Sequence, residues 1–384
     1  MAPVSPAAGP LRRSVTVGLV AAALAAGIVV VLAIGAGGQA PVRVGAFTTS
    51  YDQRELHDPL EILIVQSDGQ AFASLARDPT LARPEVFRTP AEASYRSSRP
   101  LLGWMAWALS AGRPSAVPAA LALLAVAGTG LAASGLARLL IERDTTPWPA
   151  VLVAVLPGTY SALTYLGPEP LCLGLLAWGI WAWTTPDRRT GLATALFCLA
   201  ALTRETALLV PLALGAHELW ATRRERRPLR ELGLLALAAP FVVLLTWFAV
   251  LNARVGAWPT DAGEGRLTHP LGGLLEATGQ WEAPRDELLL LVLAGLLVVT
   301  VLWRCRGDVL AWVVGAHVAF ALLLGDRVWR SWQFYGRVLL PLFAFGFVAV
   351  LSRLLPAREV SYPSPETADP AGGRLRIHAQ ASST

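Results

Sequence analysis

The sequence predicts an all-α polytopic membrane protein, a transmembrane helix bundle of about ten spanning helices. Three observations predict it. Hydrophobic residues make up 54% of the 384-residue chain and charged residues only 15%, where a soluble domain carries about 25% charged. The missing charge is concentrated, so that long runs have none, and roughly 20 apolar residues are what it takes to cross about 30 Å of hydrocarbon. The arginines between those runs fall in short loops that alternate with acidic or aromatic ones, the pattern by which spanning helices are oriented.

The elements follow in order. Arg12 and Arg13 precede the first apolar run, residues 15–36. A signal peptide cut near Gly38-Gln39-Ala40 is the alternative, but the run exceeds the usual core of about 7–15 residues and reads as an uncleaved helix. The second run, 116–140, begins after Arg113-Pro114 and ends at the turn ERDTTPW. Runs 148–165 and 170–185 are parted by PGTYSALTYLGPEPL, with Glu169 between two prolines. Runs 190–203 and 205–221 are interrupted by Thr203-Arg204-Glu205 and form two helices or one broken helix. Run 231–253 follows TRRERRPLR, runs 287–303 and 309–325 flank WRCRGD, and run 338–355 follows GDRVWRSWQFYGR.

In this order Arg12 and Arg13, Arg138 and Arg143, Arg188 and Arg189, the arginines from Arg223 to Arg230, and Arg304 and Arg306 all fall on one side. The positive-inside rule makes that side cytoplasmic. The chain then sits in the cell membrane with both termini inside. Residues 1–355 form one transmembrane unit, and its first outer loop spans 37–115. LLGWMAWALSAG at 101–112 is too short to span and, with Trp104 and Trp107, reads as an interfacial helix. Residues 356–384, rich in Pro, Ser and Ala, read as a disordered cytoplasmic tail.

Composition also excludes. All 32 basic side chains are arginine and the net charge is +5, which suits anionic lipid or an anionic substrate. No basic-aromatic module for nucleic acid is present. The three cysteines, Cys172, Cys198 and Cys305, have no spacing of a disulfide framework or zinc site. HExxH, a P-loop and GxSxG are absent, so no cofactor is called for. No internal repeat is visible, which weighs against a transporter.

Charge persisting at helix ends in lipid is the informative kind. On the predicted outer side, Asp52 and Asp68 lie in the first loop, and Asp68 precedes a helix that ends at Asp78-Pro79. The plain reading of Asp68 is a helix N-cap. Glu169 reads as a solvated carboxylate or a site group. Arg204 and Glu205 neutralise each other or join a buried network. Asp326, Arg327, Arg330 and Arg337 are interleaved with Trp329, Trp332, Phe334 and Tyr335. Arginine forks read phosphate oxygens and aromatic faces hold lipid or sugar, while snorkelling arginines in an aromatic belt are the plain alternative. His317, alone in an apolar run, reads as a packed, hydrogen-bonded core histidine.

These features together resemble the C-type glycosyltransferases, polytopic enzymes that use lipid-phosphate-linked sugars. The residues carrying the likeness are DGQAFASLARDP, YRSSRPLLGWMAWALSAG and LTRETALLVP, with Glu169 and the segment Tyr335-Gly336-Arg337. The resemblance implies a sugar transferred from a polyprenyl-phosphate donor to an acceptor hydroxyl at the outer face. It implies Asp68 as base with Asp52 in reserve, Glu169 orienting the acceptor or a basic partner, and Arg204, Arg330 and Arg337 on the donor phosphate, supported by Glu205 and Tyr335. Some members bind a metal through paired acids in this loop, whereas here Asp68 is followed by Gly69, which argues against a divalent ion. Two other readings stay open: a transporter or flippase of a lipid-linked intermediate, and a non-catalytic scaffold on the same fold.

Overall fold

The computed structural model describes residues 8–38, 56–65, 68–226, 231–262 and 267–355. Asp52, Ser67, Arg227, Arg230 and the segment 356–384 lie outside the described residues. The described chain is helical, and an isolated bridge joins Leu267 to Leu324. Its helices are α1 (Ala8–Gly37), α2 (Pro59–Val65), α3 (Gly69–Arg77), α4 (Pro90–Arg96), α5 (Pro100–Leu109), α6 (Val117–Ile141), α7 (Pro157–Leu163), α8 (Glu169–Thr184) and α9 (Thr190–Thr203). They continue as α10 (Leu209–Glu225), α11 (Glu231–Val255), α12 (Gly272–Thr278), α13 (Pro284–Arg304), α14 (Val309–Leu322), α15 (Asp326–Trp329), α16 (Trp332–Val338) and α17 (Leu340–Leu354).

Among the described residues, four stretches are long and apolar enough to cross a membrane: Gly9–Gly37, Pro114–Ile141, Gly233–Val255 and Pro284–Arg304. The pair α16–α17, bent by 65°, makes a fifth if taken as one span. Several expected spans are shorter or divided, and proline explains one of the divisions. The stretch 148–165 consists of a 3₁₀ segment, Trp148–Val155, followed by α7. Leu156 between them is extended (ψ 140°) because the residue before Pro157 is driven out of the α region. The stretch 338–355 stands as the single helix α17, which a break at Leu339 sets at 65° to α16.

The helices pack in a continuous series. α6 lies between α1 and α8, α8 meets α9, and α9 meets α11; on the other side α10, α14, α17 and α13 pack in turn. Small residues set the closest approach. A methyl group added at Gly18 of α1 would stand 2.7 Å from the carbonyl oxygen of Gly130 in α6, so the two backbones touch as in the small-residue packing of membrane helices. The outward faces are apolar: Leu19, Val31 and Ile34 of α1 and Leu289, Val292, Leu296 and Val299 of α13 are exposed. In water this would be an aggregation surface; in lipid it is the expected exterior.

Ion pairs tie the turns together at one end of the bundle. Arg143, after α6, meets Asp308, before α14, at 3.1 Å, and Arg188, before α9, meets Glu218 of α10 at 2.9 Å. The second pair shows that α9 and α10 fold back as a hairpin, with the break at Arg204 at its far end. At that far end α3, α4 and α5 cover the bundle. α5 is not merely laid on a surface: Leu102, Gly103 and Ala106 are buried, Trp104 donates to the Pro79 carbonyl at 3.1 Å, and its ring meets Trp247 edge-on. Inside the bundle His317 is fully buried, its Nδ1 2.8 Å from the Val313 carbonyl.

Candidate functional site

The site begins at the start of α3. Asp68 occupies the N-cap position, yet its side chain makes no cap hydrogen bond. One carboxylate oxygen instead accepts from Arg96 Nη1 at 2.5 Å, and the other lies 3.8 Å from Arg337 Nη1. Local sequence favours capping because a carboxylate is the nearest acceptor for free helix N–H groups. Two guanidiniums from distant helices offer a stronger, charge-assisted alternative.

Gly69 makes the placement possible. A Cβ there would stand 2.5 Å from the Tyr165 carbonyl and 2.6 Å from that of Ile64. The chain therefore threads between α2 and the α7–α8 connection with no room for a side chain. Gln70 secures the same corner by donating to the Val65 carbonyl at 2.8 Å.

Beneath Asp68 lies a buried ionic cluster. Arg204 donates to Glu169, and the Tyr165 hydroxyl donates to the other Glu169 oxygen at 2.6 Å. Both charged members are less than 10% exposed. The guanidinium of Arg337 stacks over the Tyr165 ring, 4.7 Å from its centroid, so Tyr165 joins the Glu169–Arg204 pair to the Asp68–Arg337 pair. The break at Arg204 is what turns its side chain inward: the residue is extended (φ −160°, ψ 131°) between α9 and a 3₁₀ turn, Glu205–Leu208. Glu205 does not neutralise its neighbour. It accepts a two-pronged pair from Arg99, Nε at 2.7 Å and Nη2 at 2.6 Å. Adjacent residues in an extended and then helical backbone diverge, and each finds a partner on another element.

These groups open onto a cavity of about 370 Å³. Asp68, Arg99, Arg204, Glu205, Arg330 and Arg337 line it, along with Arg96 and Arg327, and Phe320, Leu324, Val328, Phe334 and Val338 form an apolar wall. Among the described residues, six arginines face four carboxylates once Glu169 and Asp326, bonded to Arg204 and Arg330, are included. The Nε groups of Arg204 and Arg337 are buried and find no acceptor among the described residues, and an orphaned buried donor is costly unless a ligand completes it. At Asp68 burial favours the neutral acid, but Arg337, Arg96, Arg99 and Arg204 outweigh it and hold the carboxyl below its usual range. The arrangement is a cluster of guanidiniums around one carboxylate, Asp68, with an apolar flank. It does not fit a divalent cation: arginines flank both Asp68 oxygens, and Gly69 has no space for a second acid.

Of the residues singled out from sequence, Asp68, Arg204, Glu205, Arg330 and Arg337 line this cavity. Glu169 lies behind it, holding Arg204. Arg330 sits at the rim, partly exposed and bonded to Asp326 at 2.6 Å. Tyr335 points elsewhere: its hydroxyl donates to Glu287 at 2.6 Å, and the other Glu287 oxygen accepts from the Trp332 amide. Tyr335 therefore fastens α16 to α13 and does not line the site. Arg327, grouped with Arg330 and Arg337 from sequence, also lines it, whereas Arg96, Arg99 and Tyr165 were not anticipated. The available signal was YRSSRP at 95–100, two arginines three residues apart between short helices in a loop already known to hold Asp68. Comparison with family models, with curated proteins and with solved structures finds no match to this chain.

Proposed function

We propose that this chain is a membrane glycosyltransferase of the C type. In this reading it transfers a sugar from a polyprenyl-phosphate donor to an acceptor hydroxyl at the outer face of the cell membrane. The observation that carries the reading is the cavity at Asp68: a carboxylate among clustered guanidiniums beside an apolar wall. The guanidiniums suit a phosphate, the wall suits a prenyl chain or sugar face, and the carboxylate is the base that attack by a hydroxyl requires.

A mechanism follows from the contacts. A carboxylate locked between two arginines is a weak base. The 2.5 Å contact to Arg96 is tight and the 3.8 Å contact to Arg337 is loose, so donor phosphate draws Arg337 away first. Asp68 then regains basicity, takes the acceptor proton as the new glycosidic bond forms, and the bond to phosphate breaks with its electrons left on the leaving oxygen. Arg204, Arg330 and Arg337 stabilise that charge.

The reading includes ten crossings with both termini cytoplasmic. Its support is the gathering of Arg143, Asp308, Arg188 and Glu218 at one end and of Asp68, Arg99, Arg204 and Arg337 at the other. The test is transfer by purified protein from a panel of labelled polyprenyl-phosphate hexoses and pentoses. Asp68→Asn is expected to lower turnover at least 100-fold while keeping donor binding. Equal turnover by Asp68→Asn and wild type would refute the base assignment, and no transfer by the wild type from any donor would refute the activity.

A further inference from the structure

A second cavity, about 1200 Å³, lies at the opposite end of the bundle from Asp68. Three helices converge on it: the start of α1 with Arg12 and Arg13, the end of α6 at Ile141, and the end of α17 at Leu354. Helix ends of this kind mark the headgroup level of a bilayer. The polar side presents both arginines, exposed, with Asp144 as the carboxylate in the lining. Among the described lining residues, two guanidiniums stand against one carboxylate. The rim is apolar and open: Trp148 is 54% exposed and Leu354 67%.

We infer that this cavity binds an anionic phospholipid of the cytoplasmic leaflet through its phosphodiester headgroup. The guanidiniums suit a phosphodiester, since arginine forks grip phosphate oxygens in pairs. The volume exceeds the roughly 300–1,000 Å³ of a drug-sized pocket and accommodates a headgroup with the first part of its chains. The exposed Trp148 and Leu354 provide the boundary those chains lie against. A phospholipid there would clamp α1 to α6 and α17 at the end where no helix covers them. The inference rests on the membrane reading and not on the proposed reaction, so the two fail separately.

The test is native mass spectrometry of the full chain released from detergent, with phosphatidylglycerol or phosphatidylcholine of identical acyl chains. Wild type is expected to retain phosphatidylglycerol preferentially. Arg12→Gln/Arg13→Gln is expected to bind it roughly tenfold more weakly with phosphatidylcholine retention unchanged, and Arg12→Lys/Arg13→Lys to keep most of the preference. Equal retention of the two lipids by wild type would overturn the inference, as would unaltered phosphatidylglycerol binding by the glutamine variant. A rise in melting temperature with glycerol phosphate equal to that with phosphatidylglycerol would make the site one for a soluble phosphate. Should the glutamine variant fail to fold, the wild-type comparison of the two lipids decides alone.

Discussion

Asp68 stands at the head of α3 but bonds Arg96 at the end of α4, 28 residues away, at 2.5 Å. The helix thereby gives up a side-chain cap, and the carboxylate becomes part of a surface shared by α3, α4 and α16. Because the two residues touch, their mutational effects should not add. Asp68→Asn and Arg96→Gln together are expected to cost less stability than the sum of the single changes, with a coupling of about 0.5–3 kcal/mol. Chemical denaturation of the four proteins in one detergent measures it, and additivity would mean that the contact is not formed in solution.

The Glu169–Arg204 pair is buried and partnered on both sides. Removing one member leaves the other charged and alone, which costs about 3–5 kcal/mol in a dry interior. Glu169→Ala is therefore expected to lower the thermal midpoint sharply. Glu169→Ala/Arg204→Met, with neither charge left, should recover much of the loss in stability while remaining inactive. A double variant no more stable than Glu169→Ala would show that the pair does more than balance charge.

Gly69 is expected to reject even a methyl group. The nearest atoms to an added Cβ are backbone carbonyl oxygens at 2.5 and 2.6 Å, and backbone does not give way as a flexible side chain does. Gly69→Ala should cost about 1–3 kcal/mol and shift Asp68 off Arg96. A melting temperature equal to wild type would contradict the close approach of α3 to the α7–α8 connection.

Asp308 supplies a pH-dependent contribution at the other end. Burial favours its neutral form, but the Arg143 guanidinium and the Leu310 amide together hold the carboxyl below its usual value. A carboxyl depressed in the folded state adds stability that is fully present above the unfolded pKa of about 4. That stability is lost as the pH falls through the folded value. Asp308→Asn keeps the cap to Leu310 and removes the ion pair. It should be less stable than wild type at pH 7 by about 1–3 kcal/mol, with the gap closing below about pH 4. A gap that stays constant into acid would show that the pair carries no linkage.

Much of the fold was legible because membrane burial leaves a one-dimensional record. Apolar runs such as 15–36 and 116–140 had to be helical, since every backbone group in hydrocarbon must be bonded within its own segment. Arginine in the turns reports sidedness for the same one-dimensional reason. Proline at 157 divided one of those runs, which hydrophobicity alone does not register. The sequence also drew attention to Asp68, Glu169, Arg204 and Arg337, because charge beside an apolar run needs a reason to be there.

What sequence could not supply was pairing. Arg204 adjoins Glu205 in the chain and is bonded to Glu169; Glu205 is bonded to Arg99; Asp68 is bonded to Arg96 and not to its own helix. Tyr335 belongs to Glu287 although Arg337, two residues on, faces the cavity. Composition and periodicity by themselves determined that the chain is a bundle of apolar helices with charge held at their ends. Only the tertiary structure decided which charges meet, because an ion pair depends on where two distant backbones come to rest. At Gly69 that position is set within a few tenths of an ångström by contacts no local pattern encodes.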